Sequence, residues 1–202
     1  MEAPVLPYRA APLEPGVSLR QGEILSNVVR IQLDLSSLGT KEHRVDEVKY
    51  DYAVVLTQDC DLEQDFKARQ GRNQPDKLLP NVFFCQVATA QQLRGATGIT
   101  ADIWRRISRN KDERYHFLQR IAADSDALQQ GLPELGIDFK RYFTIPTEEI
   151  YKRIELGEAR RRCVLVSPYL EHLSSRFAYF LSRVALPEDH FSEPARKDIP
   201  SS

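Results

Sequence analysis

Tyr50-Asp51-Tyr52-Ala53-Val54-Val55-Leu56-Thr57-Gln58-Asp59-Cys60-Asp61 is a short apolar strand that runs directly into polar side chains able to do chemistry. Ala53 to Leu56 read as buried strand, and Thr57 to Asp61 as the groups presented at its end. A buried strand is stiff and holds the residues at its end more firmly than a free loop would. This strand end is the first candidate site, and the segments around it decide the fold class.

Upstream, Glu23 to Asp34 alternates Val29, Ile31 and Leu33 with Arg30, Gln32 and Asp34, the period-2 pattern of a half-buried strand. Residues 1–20 carry Pro4, Pro7, Pro12 and Pro15, which remove backbone donors, so an extended arm outside the core is expected there. Downstream, Asp61 to Gly71 reads as an exposed helix capped by Asp59 or Asp61. Val82 to Thr89 is continuously apolar and predicts a strand buried on both faces.

Ile103, Trp104 and Ile107 fall at helical spacing within Thr100 to Asn110, with Thr100 as N-cap. Arg114 to Leu118 and Arg162 to Val166 predict strands, Gly136 to Ile145 a strand pair, and Thr147 to Gly157 a short helix. Ser167-Pro168 opens a last helix with Leu170, Leu173, Phe177, Phe180, Leu181 and Val184 on one face. Strands outnumber helices and do not alternate with them regularly, so the predicted class is mostly β with inserted helices, α+β, around a curved antiparallel sheet. A single domain over 21–187 follows, with a frayed tail at 188–202 containing His190, Pro194 and Pro200.

At 202 residues and 42% hydrophobic content the chain can bury one substantial core. Its formal net charge of −1 leaves no global field toward nucleic acid or an anionic membrane, so such binding must come from a local patch. No run approaches the roughly 20 apolar residues of a membrane span, and Met1-Glu2-Ala3-Pro4 does not resemble a signal peptide, so a cytoplasmic location without membrane contact is expected. Cys60, Cys85 and Cys163 are odd in number and lack a CxxC pair, which suits a reducing compartment.

Three fragments in order resemble the PemK/MazF-like toxin family of SH3-like barrels: Gly22-Glu23-Ile24-Leu25, Ala53-Val54-Val55-Leu56-Thr57 and Cys85-Gln86-Val87-Ala88-Thr89-Ala90. The resemblance implies an SH3-like PemK/MazF-type barrel with the C-terminal helix as an elaboration, and it carries Thr57 and Thr89 over as site residues. Family ribonucleases place an Arg-Pro pair before the second fragment, and here those positions hold Asp51 and Tyr52. An anion in place of a cation reverses the electrostatic contribution at a phosphate, so the resemblance implies the barrel and a binding role more than cleavage. It also implies a toxin- or defence-related setting with a protein partner or antitoxin.

Asp59, Cys60 and Asp61 beside Gln58 can be read as a nucleophile served by His116, as oxygen ligands for a cation, or as a helix-capping turn. Two carboxylates beside a thiol disfavour its thiolate, and two aspartates with Gln58 do not complete a cation shell, so no metal or cofactor is assigned. Trp104-Arg105-Arg106-Ile107-Ser108-Arg109 interleaves cations and an aromatic ring, as phosphate contact with base stacking requires, and Arg105, Arg106 and Arg109 can share a helix face. Arg160-Arg161-Arg162 reads as a surface turn. RNA or DNA binding is the first functional expectation, with Thr57, Asp59, Cys60, Asp61 and Thr89 around one groove and Arg105, Arg106 and Arg109 supplying phosphate contacts; a regulatory or assembly module of a mobile-element or defence operon that docks a protein through the last helix, and a small hydrolase using Cys60 or an Asp-bound metal, are the alternatives.

Overall fold

The computed structural model describes residues 6–14, 16–71 and 74–183. The strand holding the Tyr50 stretch lies in the middle of a seven-stranded sheet. In chain order the strands are β1 (Tyr8–Ala10), β2 (Glu23–Leu33), β3 (Val45–Val55), β4 (Asn81–Thr89), β5 (Tyr115–Leu118), β6 (Leu135–Pro146) and β7 (Arg160–Leu165). Their spatial order is β1-β7-β2-β3-β4-β6-β5, antiparallel throughout. Helices α1 (Asp59–Gln70), α2 (Ala90–Arg94), α3 (Ala101–Ile107) and α4 (Thr147–Glu155) lie between strands, and α5 (Tyr169–Ser182) follows β7.

The α+β class holds, but the sheet is not closed as a barrel. β1 and β5 are its two outer strands and share no ladder; the Tyr8 hydroxyl instead reaches across to the Gln119 carbonyl at 3.3 Å. The predicted strand pair at Gly136 to Ile145 is the single long strand β6.

Period-2 alternation sends side chains into two apolar clusters, one on each face. Ile24, Val54, Cys85 and Cys163 face one with α5; Leu25, Ala53, Val55 and Phe84 face the other, with α1 and α4 contributing Leu62 and Ile150. Three irregularities switch faces; one is in β7, where Ile24 pairs with Cys163 and Leu25 with Arg161, so that Arg162 is an extra residue between them. Asn27 takes a left-handed φ of 57° while the β2–β3 register continues, so Leu25 and Val28 enter the same cluster although three residues apart. In β6 the pairing jumps from Tyr142 opposite Cys85 to Ile137 opposite Val87, five residues against two, and the odd excess puts Ile137 and Phe139 on one face and Phe143 and Ile145 on the other. The Cys85 thiol donates to the freed Asp138 carbonyl at 3.0 Å within this bulge.

Several expectations are corrected. The proline-bearing arm enters the core: Tyr8, Ala11 and Leu19 are buried, and β1 pairs with β7. Ile31 and Leu33 are 40% and 39% exposed, because β7 pairs with β2 only through Ser26 and β4 with β3 only from Tyr52, leaving the end of the β2–β3 ribbon uncovered. Arg161 and Arg162 are not a surface turn but are buried on β7, their alternating side chains reaching carboxylates on opposite sides of the sheet. On α5, Leu173, Phe177 and Phe180 belong to the core, whereas Leu181 is exposed. Pro4, Pro15, Val184, the boundary at 187 and the 188–202 tail with His190 lie outside the described residues.

Arg161 donates to Glu23 from Nε at 2.5 Å and Nη2 at 2.8 Å, and to the Val17 and Ser18 carbonyls. Burial pushes the Glu23 carboxyl up against the opposing pull of Arg161. Removing one partner strands the other charge in the interior, so Arg161→Ala should cost about 3–5 kcal/mol, whereas Glu23→Leu/Arg161→Met should cost far less. Urea midpoints of the three proteins check this; a single variant as stable as the parent contradicts it.

Candidate functional site

At the end of β3 the groups expected to do chemistry are largely held in structural contacts. The Thr57 hydroxyl accepts the Phe83 N–H at 2.8 Å and prolongs the β3–β4 pairing by one step. Asp59 is the first residue of α1; it accepts Arg20 Nε and Nη2 at 3.0 and 2.8 Å and the Gln21 N–H at 2.7 Å, which ties the arm to the strand end. Burial raises the Asp59 carboxyl, but the hydrogen bonds from Arg20 and Gln21 outweigh it and leave it below the usual range.

Gln58, not Asp59 or Asp61, occupies the N-cap position, and its side chain makes no capping bond. Both aspartates lie in the first turn, where negative charge suits the helix dipole. Cys60 and Asp61 are exposed; the thiol lies 3.7 Å from Gln58 Oε1 and Asp61 Oδ1, and these oxygens supply no nitrogen base. Among the described residues no group of three His, Cys, Asp or Glu side chains could hold a metal.

Thr89 stands apart. It is the N-cap of α2, in a capping box with Gln92, six residues along β4 from the Thr57 contact, about 20 Å at strand rise. Thr57 and Thr89 therefore do not share a groove. Thr89 instead lines a 350 Å³ cavity with Asp51, Tyr52, Arg160 and Arg162. Arg162 is committed there to Asp126, at 2.8 and 2.7 Å.

The arginine segment also divides. Thr100 caps α3 by accepting the Ile103 N–H, but the helix stops at Ile107, and Asn110 has a left-handed φ of 53°. Arg105 pairs with Asp102 and Arg106 with Asp112. Arg109 lies beyond the helix, is exposed, and among the described residues has no carboxylate partner. Trp104 is packed between the Phe117 edge and the Arg94 guanidinium rather than free for stacking.

Arg109 opens onto a cleft of about 260 Å³ between β1, the loop after α3, β5 and the first turn of α5. Tyr8, His116, Tyr169 and His172 line it. His116 is 3% exposed, its ring centroid is 5.3 Å from that of His172, and among the described residues its Nδ1 has no hydrogen-bond partner. Burial, with Arg176 and His172 behind it, pushes His116 down to about 3; burial and Arg176 lower His172 as well. The Arg176 guanidinium donates to the Asn110, Asp112 and Tyr115 carbonyls and fixes the loop against α5.

Among the described residues no carboxylate lines this cleft. Four other cavities among the described residues each carry one or more: Glu14 and Glu155 at 740 Å³, Asp51 and Asp138 at 540 Å³, Asp51 at 350 Å³, and Asp112 and Glu113 at 310 Å³. Sequence reasoning found Arg109 and weighed His116, but Tyr8, Tyr169 and His172 carry no local signal because they converge from distant segments. No protein-family model matches the chain, and no curated protein is detectably similar to it.

His116 is neutral in the fold and titrates near 6.5 when unfolded. The unfolded chain therefore binds the extra proton between about pH 6.5 and 3, and stability falls as pH drops through that window, by up to roughly 1.4 kcal/mol per unit. His116→Phe should flatten the decline between about pH 6.5 and 4.5, as urea midpoints across that range would register; an unchanged slope would show that His116 is not the group responsible.

Proposed function

We propose that the chain binds single-stranded RNA or DNA at the cleft between β5 and α5, with Arg109 contacting phosphate and Arg105 and Arg106 lying along the approach. The observation that carries this reading is a cleft that, among the described residues, has no carboxylate in its lining and an Arg109 guanidinium without an acidic partner, with the rings of Tyr169 and His172 beside it. A guanidinium neutralises phosphate without discriminating sequence, and exposed rings offer stacking faces that every base can use. The volume suits a flexible strand contributing one residue rather than a duplex.

Kinship with the PemK/MazF-like toxins is part of the proposal, in a toxin- or defence-related role. Its support is that the three resembling fragments are neighbours in the sheet, Ile24 pairing with Val54 and Val54 with Cys85. A residual ribonuclease centre is a second reading. It draws on Asp51 and Thr89 sharing a cavity with Arg160, which would supply the cation that Asp51 withholds. Docking of a protein or antitoxin through α5 has less support, because the helix spends Leu173, Phe177 and Phe180 on the core. A Cys60 hydrolase lacks a base among the thiol's hydrogen-bonding neighbours.

Fluorescence anisotropy with single-stranded RNA and DNA should give an affinity that falls with salt, with a log–log slope of roughly −0.7 per neutralised phosphate. Arg109→Ala should weaken binding about tenfold and make that slope shallower by one contact, while Arg160→Ala should leave binding intact and affect only a cleavage assay. Absence of binding at low salt, or binding indifferent to salt and to Arg109, would overturn the reading.

A further inference from the structure

The geometry points to recognition of a terminal phosphate: the cleft lined by Arg109, His116, Tyr169 and His172 receives the phosphate monoester at the end of a nucleic-acid strand. This inference rests on the nucleic-acid reading above and adds to it the part of the strand that is bound.

Three observations point to an anion that takes one charged contact and further hydrogen bonds from neutral donors. The lining contains a guanidinium and two imidazoles with no carboxylate, and Arg176 stands behind the rings. His116 lines the cleft although it is only 3% exposed, and among the described residues its Nδ1 has no hydrogen-bond partner. Among the described residues no hydrogen bond fixes the tautomer of that ring, so either of its nitrogens can carry the hydrogen. Tyr169 and His172 belong to the first turn of the 14-residue α5, where the helix dipole adds positive potential. Glu171 shares that turn but does not line the cleft.

A chain-internal phosphodiester bears one negative charge; a terminal monoester bears about −1.5 to −2 at pH 7 and offers three free oxygens. The cleft holds about 260 Å³, room for a phosphate with part of one nucleotide, and its polar groups arrive from several sides. A strand end, with its extra charge and third free oxygen, fits these donors better than a through-running backbone.

The test compares short single-stranded oligonucleotides of one sequence bearing a 5′-phosphate, a 3′-phosphate or hydroxyls at both ends, alongside inorganic phosphate and a nucleoside monophosphate. One phosphorylated end should bind at least tenfold more tightly than the hydroxyl-ended strand. Arg109→Ala and His172→Gln, both at exposed positions, should collapse that ratio toward one, with unchanged circular dichroism. Equal affinity of phosphorylated and hydroxyl-ended strands would overturn the strand-end inference while leaving nucleic-acid binding in place. A monophosphate bound more tightly than any oligonucleotide would assign the cleft to free nucleotides and overturn it too. If no oligonucleotide binds, both readings fall.

Discussion

The buried ion pairs on β7 are the constraint on which the rest of the structure depends. Arg161 and Arg162 are successive residues at a bulge in β7, where Arg161 pairs with Leu25 and Cys163 with Ile24, and their carboxylate partners lie on opposite sides of the sheet. Arg161 reaches Glu23 of β2 and the carbonyls of the arm, and Arg162 reaches Asp126 in the connection between β5 and β6. Each guanidinium is about 95% buried, so each must meet its carboxylate or leave an uncompensated charge in the interior. That requirement fixes β7 beside β2, brings β1 to the outer edge, and sets where α5 leaves the sheet. The net contribution of such pairs to stability is modest, because desolvation offsets much of their attraction; what they specify is register.

The bulge in β6 and the left-handed Asn27 turn one sheet into a support for two clusters. Both change which face a strand presents, so a chain with one run of sheet can bury apolar residues on both sides without two domains. At the bulge the Cys85 thiol donates to the Asp138 carbonyl and the Arg114 guanidinium donates to the Asp138 carboxylate. The curl that results brings Tyr8 of β1 to Gln119 just beyond β5. The cleft lies at this near-meeting of the two sheet edges, floored by side chains from β1 and β5 and flanked by α5.

Its character comes from the disposal of charge elsewhere. Carboxylates are numerous in this chain, but Glu23, Asp59, Asp126 and Asp138 are each bound to an arginine at a structural junction. Arg105 and Arg106 are paired on the surface, whereas Arg109, displaced past the end of α3, is left facing the cleft. The neutral histidines are a consequence of the same arrangement, since burial and Arg176 together disfavour their protonated forms.

Local sequence determined a good part of this protein. Apolar periodicity located the strands around Tyr50, Val82, Arg114 and Arg162, and cap chemistry located α3 at Thr100, because these signals act between residues close in the chain. It also brought Arg109 and His116 into view as residues able to contact phosphate or move a proton. Tertiary structure alone decided that the sheet stays open, that the proline-bearing arm is core, and that Thr57 and Asp59 serve as joints. It also decided that Arg161 and Arg162 are interior and that His172 and Tyr169 meet His116. The physical reason is that burial, ion pairing and local potential depend on contacts between residues far apart in the chain. A threonine, an aspartate or an arginine has the same side chain whether it completes a ladder, clamps an arm or stays exposed beside a cleft.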